Sequence, residues 1–202
     1  MREEVFNIGS YRCRGIVYDA PGIPIVFLHG YNYTSDVWRD IGLLNTLEEN
    51  EIPFLAIDMP YGARSACSPH TRDPEENSFV LHEAVRAVFR GSTPILVGAS
   101  LGGYVALRYA MKYSTMGLFL VAPVRVFEEE LVKWYKSYEK PVFIVIGSRD
   151  DIVDIEDMEK LAEYLPSARV KVYEDARHAA YLDKPELFKQ DILEFYHSVI
   201  GA

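Results

Sequence analysis

Residues 93–113, TPILVGASLGGYVALRYAMKY, carry the pattern that most narrows what this chain can fold into. The apolar run Ile95, Leu96 and Val97 reads as a buried strand, and Val105, Ala106, Leu107, Tyr109, Ala110 and Met111 fit the buried face of a helix. Between them stand Gly98, Ala99, Ser100, Leu101 and Gly102, a G-x-S-x-G pattern at a strand-to-helix junction. A serine on such a sharp turn projects its hydroxyl clear of the backbone. The residues two before and two after it are crowded, which selects glycine. The helix that follows aims its free N–H groups and positive dipole end at the same point.

The rest of the chain repeats this alternation. Residues 4–8 and 11–18 alternate around Gly9 and Ser10 and predict a β-hairpin. Apolar runs at 25–28, 54–57, 95–97, 118–121 and 141–146 predict strands buried in the sheet, and residues 169–173 read as the last strand. Helical periodicity predicts helices near 35–50, 74–90, 127–138, 155–165 and 185–199, with Ser35, Asp73 and Asp154 as N-caps. Residues 61–71 show no period and read as a long loop. Strands followed by helices imply one α/β domain over residues 1–202, with a mostly parallel eight-stranded sheet, an N-terminal antiparallel hairpin and helices on both faces. In such sheets ligands bind at the carboxyl ends of the strands. His29, Gly30, Asp58, Ser100, Asp150 and His178 all fall there.

A serine hydroxyl attacks a carbonyl only with a base to take its proton and an acid to orient that base. His178 follows Ser100 in a loop at the same rim, whereas His197 lies near the end of the last helix. His29 belongs to the loop after the third strand, and His70 and His82 read as structural or solvated. Asp150, Asp151 and Asp154 cluster after the strand at 141–146. Capping accounts for Asp154, and Asp150 is favoured over Asp151, which stays open. A developing oxyanion needs two N–H donors. The backbone of Leu101, after the serine, and of Tyr31, after His29 and Gly30, form the natural pair.

These motifs together resemble the α/β-hydrolase family. The resemblance rests on Leu28, His29 and Gly30, on residues 56–62 (AIDMPYG), on 98–103 (GASLGG), on 147–150 (GSRD) and on 177–186 (RHAAYLDKPE). It implies a triad of Ser100, Asp150 and His178, with Tyr31 as an oxyanion donor. The chain also resembles the small, lidless, intracellular branch of that family. About twenty residues separate the strands at 118–121 and 141–146, room for one helix where larger members insert a cap. A shallow, loop-lined pocket is then expected, with Tyr31, Tyr33, Met59, Tyr61, Val124 and Tyr181 as candidate walls.

The function expected is hydrolysis of small or short-chain carboxylic esters through an acyl-enzyme. Acyl transfer or perhydrolysis by the same triad, and a non-catalytic ligand-binding role, stand as alternatives. A net charge of −9 argues against a nucleic-acid groove. No apolar run reaches the length of a membrane span, and no signal-peptide pattern opens the chain. Cys13 and Cys67 form no metal or redox motif, so reduced thiols in a cytoplasmic protein are expected, with a disulfide as the alternative. Neither a cofactor nor a metal is expected, and the expected partner is a small-molecule ester.

Overall fold

A computed structural model of the protein describes residues 1–201. Eight strands form one sheet in the order β1-β2-β4-β3-β5-β6-β7-β8. The hairpin β1 (Arg2–Ile8) and β2 (Tyr11–Tyr18) is antiparallel, and β2 pairs antiparallel with β4 (Phe54–Ile57). From there β3 (Ile25–Leu28), β5 (Ile95–Ala99), β6 (Gly117–Val121), β7 (Val142–Gly147) and β8 (Ala168–Tyr173) run parallel.

The continuous apolar strands have the reason expected of them: successive side chains enter opposite cores. Ile25 and Phe27 pack with helices α1 (Asp36–Asp40), α2 (Leu43–Glu49), α7 (Ala180–Asp183) and α8 (Pro185–Ile200). Val26 and Leu28 pack with α3 (Pro74–Phe89), α4 (Leu101–Ala110), α5 (Glu129–Tyr135) and α6 (Ile155–Tyr164). The sheet is thus covered on both faces, and only α5 lies between β6 and β7 where a cap would stand.

Three local expectations change. The helix expected over 35–50 breaks into α1 and α2 at Ile41 and Gly42. Ser35 does not cap it: its N–H donates to the buried Asp58 carboxylate at 2.7 Å instead. Asp154 occupies the N-cap position of α6, yet its side chain accepts no capping bond. Asp73, by contrast, caps α3 by accepting from the Glu75 N–H at 2.8 Å.

The cysteines also differ from expectation. Cys13 on β2 and Cys67 in the loop after β4 are joined as a buried disulfide. Their neighbours explain the meeting. Arg12 and Ser68 exchange backbone hydrogen bonds of 2.8 and 3.1 Å, which sets the two cysteines side by side. No motif in the sequence announces a pair 54 residues apart. Among the described residues no helix is long and apolar enough to cross a membrane.

Candidate active site

The turn between β5 and α4 holds Ser100 at φ 52° and ψ −114°, a conformation that costs a non-glycine residue on the order of 1–3 kcal/mol. Close packing enforces it. A Cβ at Gly98 would stand 2.5 Å from the Gly102 carbonyl oxygen, and one at Gly102 would press on the carbonyls of Leu28 and His29. The two glycines let the strand, the elbow and the start of α4 nest against the end of β3. The Ser100 N–H donates to the Val121 carbonyl at 2.8 Å, which ties the elbow to the next strand.

The Ser100 hydroxyl lies 2.9 Å from His178 Nε2, and His178 Nδ1 lies 2.8 Å from Asp150 Oδ2 and 3.0 Å from Oδ1. The carboxylate accepts from Nδ1–H, so Nε2 carries the lone pair that faces the serine. Asp151 is exposed and outside this chain of hydrogen bonds.

Asp150 is placed by its own loop. Its Oδ1 accepts from the N–H groups of Ile152 and Val153 at 2.9 and 3.0 Å. Burial alone would raise this carboxyl, but the His178 hydrogen bond and those two N–H donors outweigh burial and hold it below the ordinary carboxylate value. The group therefore stays ionised throughout the neutral range.

His178 arrives through a zip between the loops after β7 and β8. Ser148 N–H donates to Tyr173 O at 2.9 Å, Arg149 N–H to Ala176 O at 2.8 Å, and Asp175 N–H to Ser148 Oγ at 2.8 Å. Asp183 on α7 then accepts from both the Arg177 N–H and its guanidinium, fixing the residue before the histidine. Gly147 makes the crossing possible, because a Cβ there would stand 2.5 Å from the Arg177 carbonyl and nearer still to that of Ala176. Gly147→Ala should push the histidine loop outward. A displacement near 1 Å costs about a hundredfold in rate. Steady-state turnover by the folded variant checks this, and wild-type turnover would contradict it.

Of the oxyanion candidates, Tyr31 lines the same pocket as Ser100, and Leu101 follows Ser100 as the first residue of α4. Neither the Tyr31 N–H nor the Leu101 N–H has an acceptor among the described residues. The turn that carries Tyr31 is held by His29, which is fully buried. Its Nε2 accepts from the Met59 N–H at 3.0 Å, so the proton sits on Nδ1, which donates to the Gly30 carbonyl at 2.9 Å. Tyr61 Oη donates to the His29 carbonyl at 2.5 Å.

Burial depresses protonation of His29, against smaller opposing pulls from the Gly30 carbonyl and Asp58. The unfolded chain takes up that proton below about pH 6.5, so stability is full above this value and falls as pH drops toward the folded value. The slope is up to about 1.4 kcal/mol per pH unit. Denaturant midpoints at pH 7 and pH 5.5 read it, and His29→Gln should flatten the difference. An equally steep variant would contradict it.

A pocket of about 240 Å³ opens over Ser100 and His178, walled by Tyr31, Tyr33, Ile152, Ala179 and Tyr181. Three walls expected from the sequence lie elsewhere. Met59 is buried in the core, where its N–H serves His29. Tyr61 is buried, with its hydroxyl on the His29 carbonyl, because the turn after β4 folds inward. Val124 lines a neighbouring hollow with Val126, Phe127 and Met158. Ile152, 64% exposed, was not singled out by the sequence, although an apolar residue between the acids of a rim loop was its signal. Among the described residues no three His, Cys, Asp or Glu side chains converge as a metal site.

Known proteins carry the same frame. A model of the alpha/beta hydrolase family matches residues 25–138, and one of the alpha/beta hydrolase fold matches residues 119–185. The mouse (Mus musculus) Protein ABHD14A is 31% identical, over 85% of this chain and 69% of its own. The rat (Rattus norvegicus) "Putative protein-lysine deacylase ABHD14B" is also 31% identical, over 85% of this chain and 81% of its own. Against the zebrafish (Danio rerio) Protein ABHD14A, the chain spans 64% of the relative's length. Among solved structures, a CIB-like hydrolase from Thermoplasma acidophilum superimposes with a TM-score of 0.86 at 25% identity, covering 96% of each chain.

Proposed function

The chain belongs to the α/β-hydrolase family, and on that footing we propose that it is a serine hydrolase of small or short-chain carboxylic esters. The observation that carries this reading is the continuous hydrogen-bond chain from Ser100 through His178 to Asp150, at 2.9 and 2.8 Å. Ser100 Oγ attacks the ester carbonyl carbon while its proton passes to His178 Nε2. The carbonyl oxygen becomes an oxyanion between the N–H groups of Tyr31 and Leu101. Asp150 stabilises the imidazolium so formed. Collapse breaks the C–O bond, His178 protonates the leaving alcohol, and the acyl group stays on Ser100. Water, deprotonated by His178, then releases the acid and restores the serine.

The pocket volume sets the substrate size. About 240 Å³ is below the range of drug-sized ligand sites, and it is walled by aromatic and aliphatic side chains. Short acyl groups fill it. A panel of p-nitrophenyl esters from acetate to octanoate should give the highest kcat/KM at about two to four acyl carbons, with a decline beyond. No turnover of any member would overturn the reading.

A second reading has one specific support, the protein-lysine deacylase name borne by a relative with 31% identity. The same serine and histidine serve an amide carbonyl if the leaving amine is protonated by His178. An acetyl-lysine peptide run beside p-nitrophenyl acetate separates the two. Turnover of the peptide at a kcat/KM equal to or above that of the ester selects the deacylase.

A further inference from the structure

A second hollow, of about 410 Å³, shares Tyr31 with the pocket over Ser100 and is lined by Pro60, Gly62, His70, Thr71 and Arg72. Tyr31 walls both spaces. Arg72 Nη2 donates to Tyr31 Oη at 2.7 Å, and the guanidinium lies 5.0 Å from the ring centroid. One of its five N–H donors is thereby used. No carboxylate among the described residues pairs with it, whereas Arg14, Arg39, Arg108 and Arg177 each hold one.

The surroundings sharpen this. Residues 59–72 contain Arg64, His70 and Arg72 and no Asp or Glu, in a chain whose net charge is −9. The flanking acids are engaged elsewhere. Asp58 accepts from the N–H groups of Ser35 and Ala66, and Asp73 from that of Glu75. Glu75 holds Lys112 and Arg108, and Glu76 accepts from Tyr11.

The loop is also fixed in place. Ala63 N–H donates to Tyr31 O at 2.8 Å and Thr71 N–H to Pro60 O at 3.1 Å, and the Cys13–Cys67 disulfide ties its middle to β2. The backbone that carries Arg72 is thereby fixed, and its guanidinium is held against Tyr31 without a ligand, so little ordering opposes binding.

We propose that this hollow seats an oxyanion group of the substrate, a carboxylate or a phosphate, with Arg72 as the residue that selects it. The proposal rests on the serine-ester reading of the adjoining pocket. The planar guanidinium offers paired donors to such a group, and Tyr31 orients it from behind. The substrate is then an ester whose scissile carbonyl lies over Ser100 and whose far end carries a negative charge past Tyr31.

Two arms test it. On the acyl side, p-nitrophenyl hydrogen glutarate is compared with its neutral methyl-capped counterpart. On the alcohol side, glycerol phosphate monoacetate is compared with glycerol monoacetate. In at least one arm the charged-to-neutral ratio of kcat/KM should fall about tenfold or more in Arg72→Ala, and at least as far in Arg72→Glu. Arg72→Lys should restore part of it, and sodium chloride should erode the wild-type ratio. The arm that responds identifies the anion. In parallel, calorimetry with glutarate and with glycerol phosphate reads the seat on Ser100→Ala protein, where no turnover is needed. Ratios unchanged by all three Arg72 variants in both arms, with neutral esters still turned over, overturn the proposal. Absent ester turnover with anion binding that Arg72→Ala abolishes removes the serine-ester reading and leaves the seat standing.

Discussion

Replacing Ser100 with alanine should lower ester turnover on the order of 10⁴-fold or more, with KM changed far less. On the proposed mechanism the variant loses the atom that forms the covalent bond, and it keeps the oxyanion donors and the pocket. What remains is the small acceleration those features give to attack by water. Stability offers an independent check on the same residue. Ser100 sits at φ 52° and ψ −114°, and alanine inherits the strain while glycine escapes it. Ser100→Gly should therefore be more stable than Ser100→Ala by about 1 kcal/mol, or roughly 2–4 °C in Tm. Thermal unfolding of the two variants measures this. Equal melting temperatures would mean that the elbow stores no strain.

Asp150→Asn should cost nearly as much, about 10³–10⁴ in kcat, while the fold survives. The asparagine oxygen still serves the N–H groups of Ile152 and Val153, which Asp150 accepts at 2.9 and 3.0 Å. What is lost is the acceptor that keeps the proton on His178 Nδ1. An amide NH₂ in its place favours the opposite tautomer, and Nε2 then carries a hydrogen toward the serine. Asp151→Asn is the control, since Asp151 is exposed and touches neither histidine nor serine. It should stay within about twofold of wild type. A large loss in Asp151→Asn with little in Asp150→Asn would reverse the assignment.

How much of this was legible beforehand depends on the range of the interactions. The central strands were legible in runs such as residues 25–28 and 142–146, because a strand buried on both faces must be apolar at every position. The elbow was legible because Gly98 and Gly102 answer a local steric demand. His178 and Asp150 followed from chemistry, since a nucleophilic serine needs both groups at the same sheet rim. Pairings between distant segments were hidden. The break at Gly42, the inward turn that buries Met59 and Tyr61, and the meeting of Cys13 with Cys67 each depend on how remote segments pack. Gly147 entered only as part of the motif at 147–150, yet its lack of a side chain is what admits the backbone before His178. Arg72 lay between the loop at 61–71 and the cap of the next helix, and only its place beside Tyr31 gives it meaning.

The most direct test is covalent labelling of the folded protein with a fluorophosphonate, followed by peptide mapping. One adduct on Ser100 is expected, absent in Ser100→Ala and formed at least about a hundredfold more slowly in His178→Ala. A folded wild-type protein that stays unlabelled, or that takes the label on another residue, would contradict the assignment of Ser100 as nucleophile.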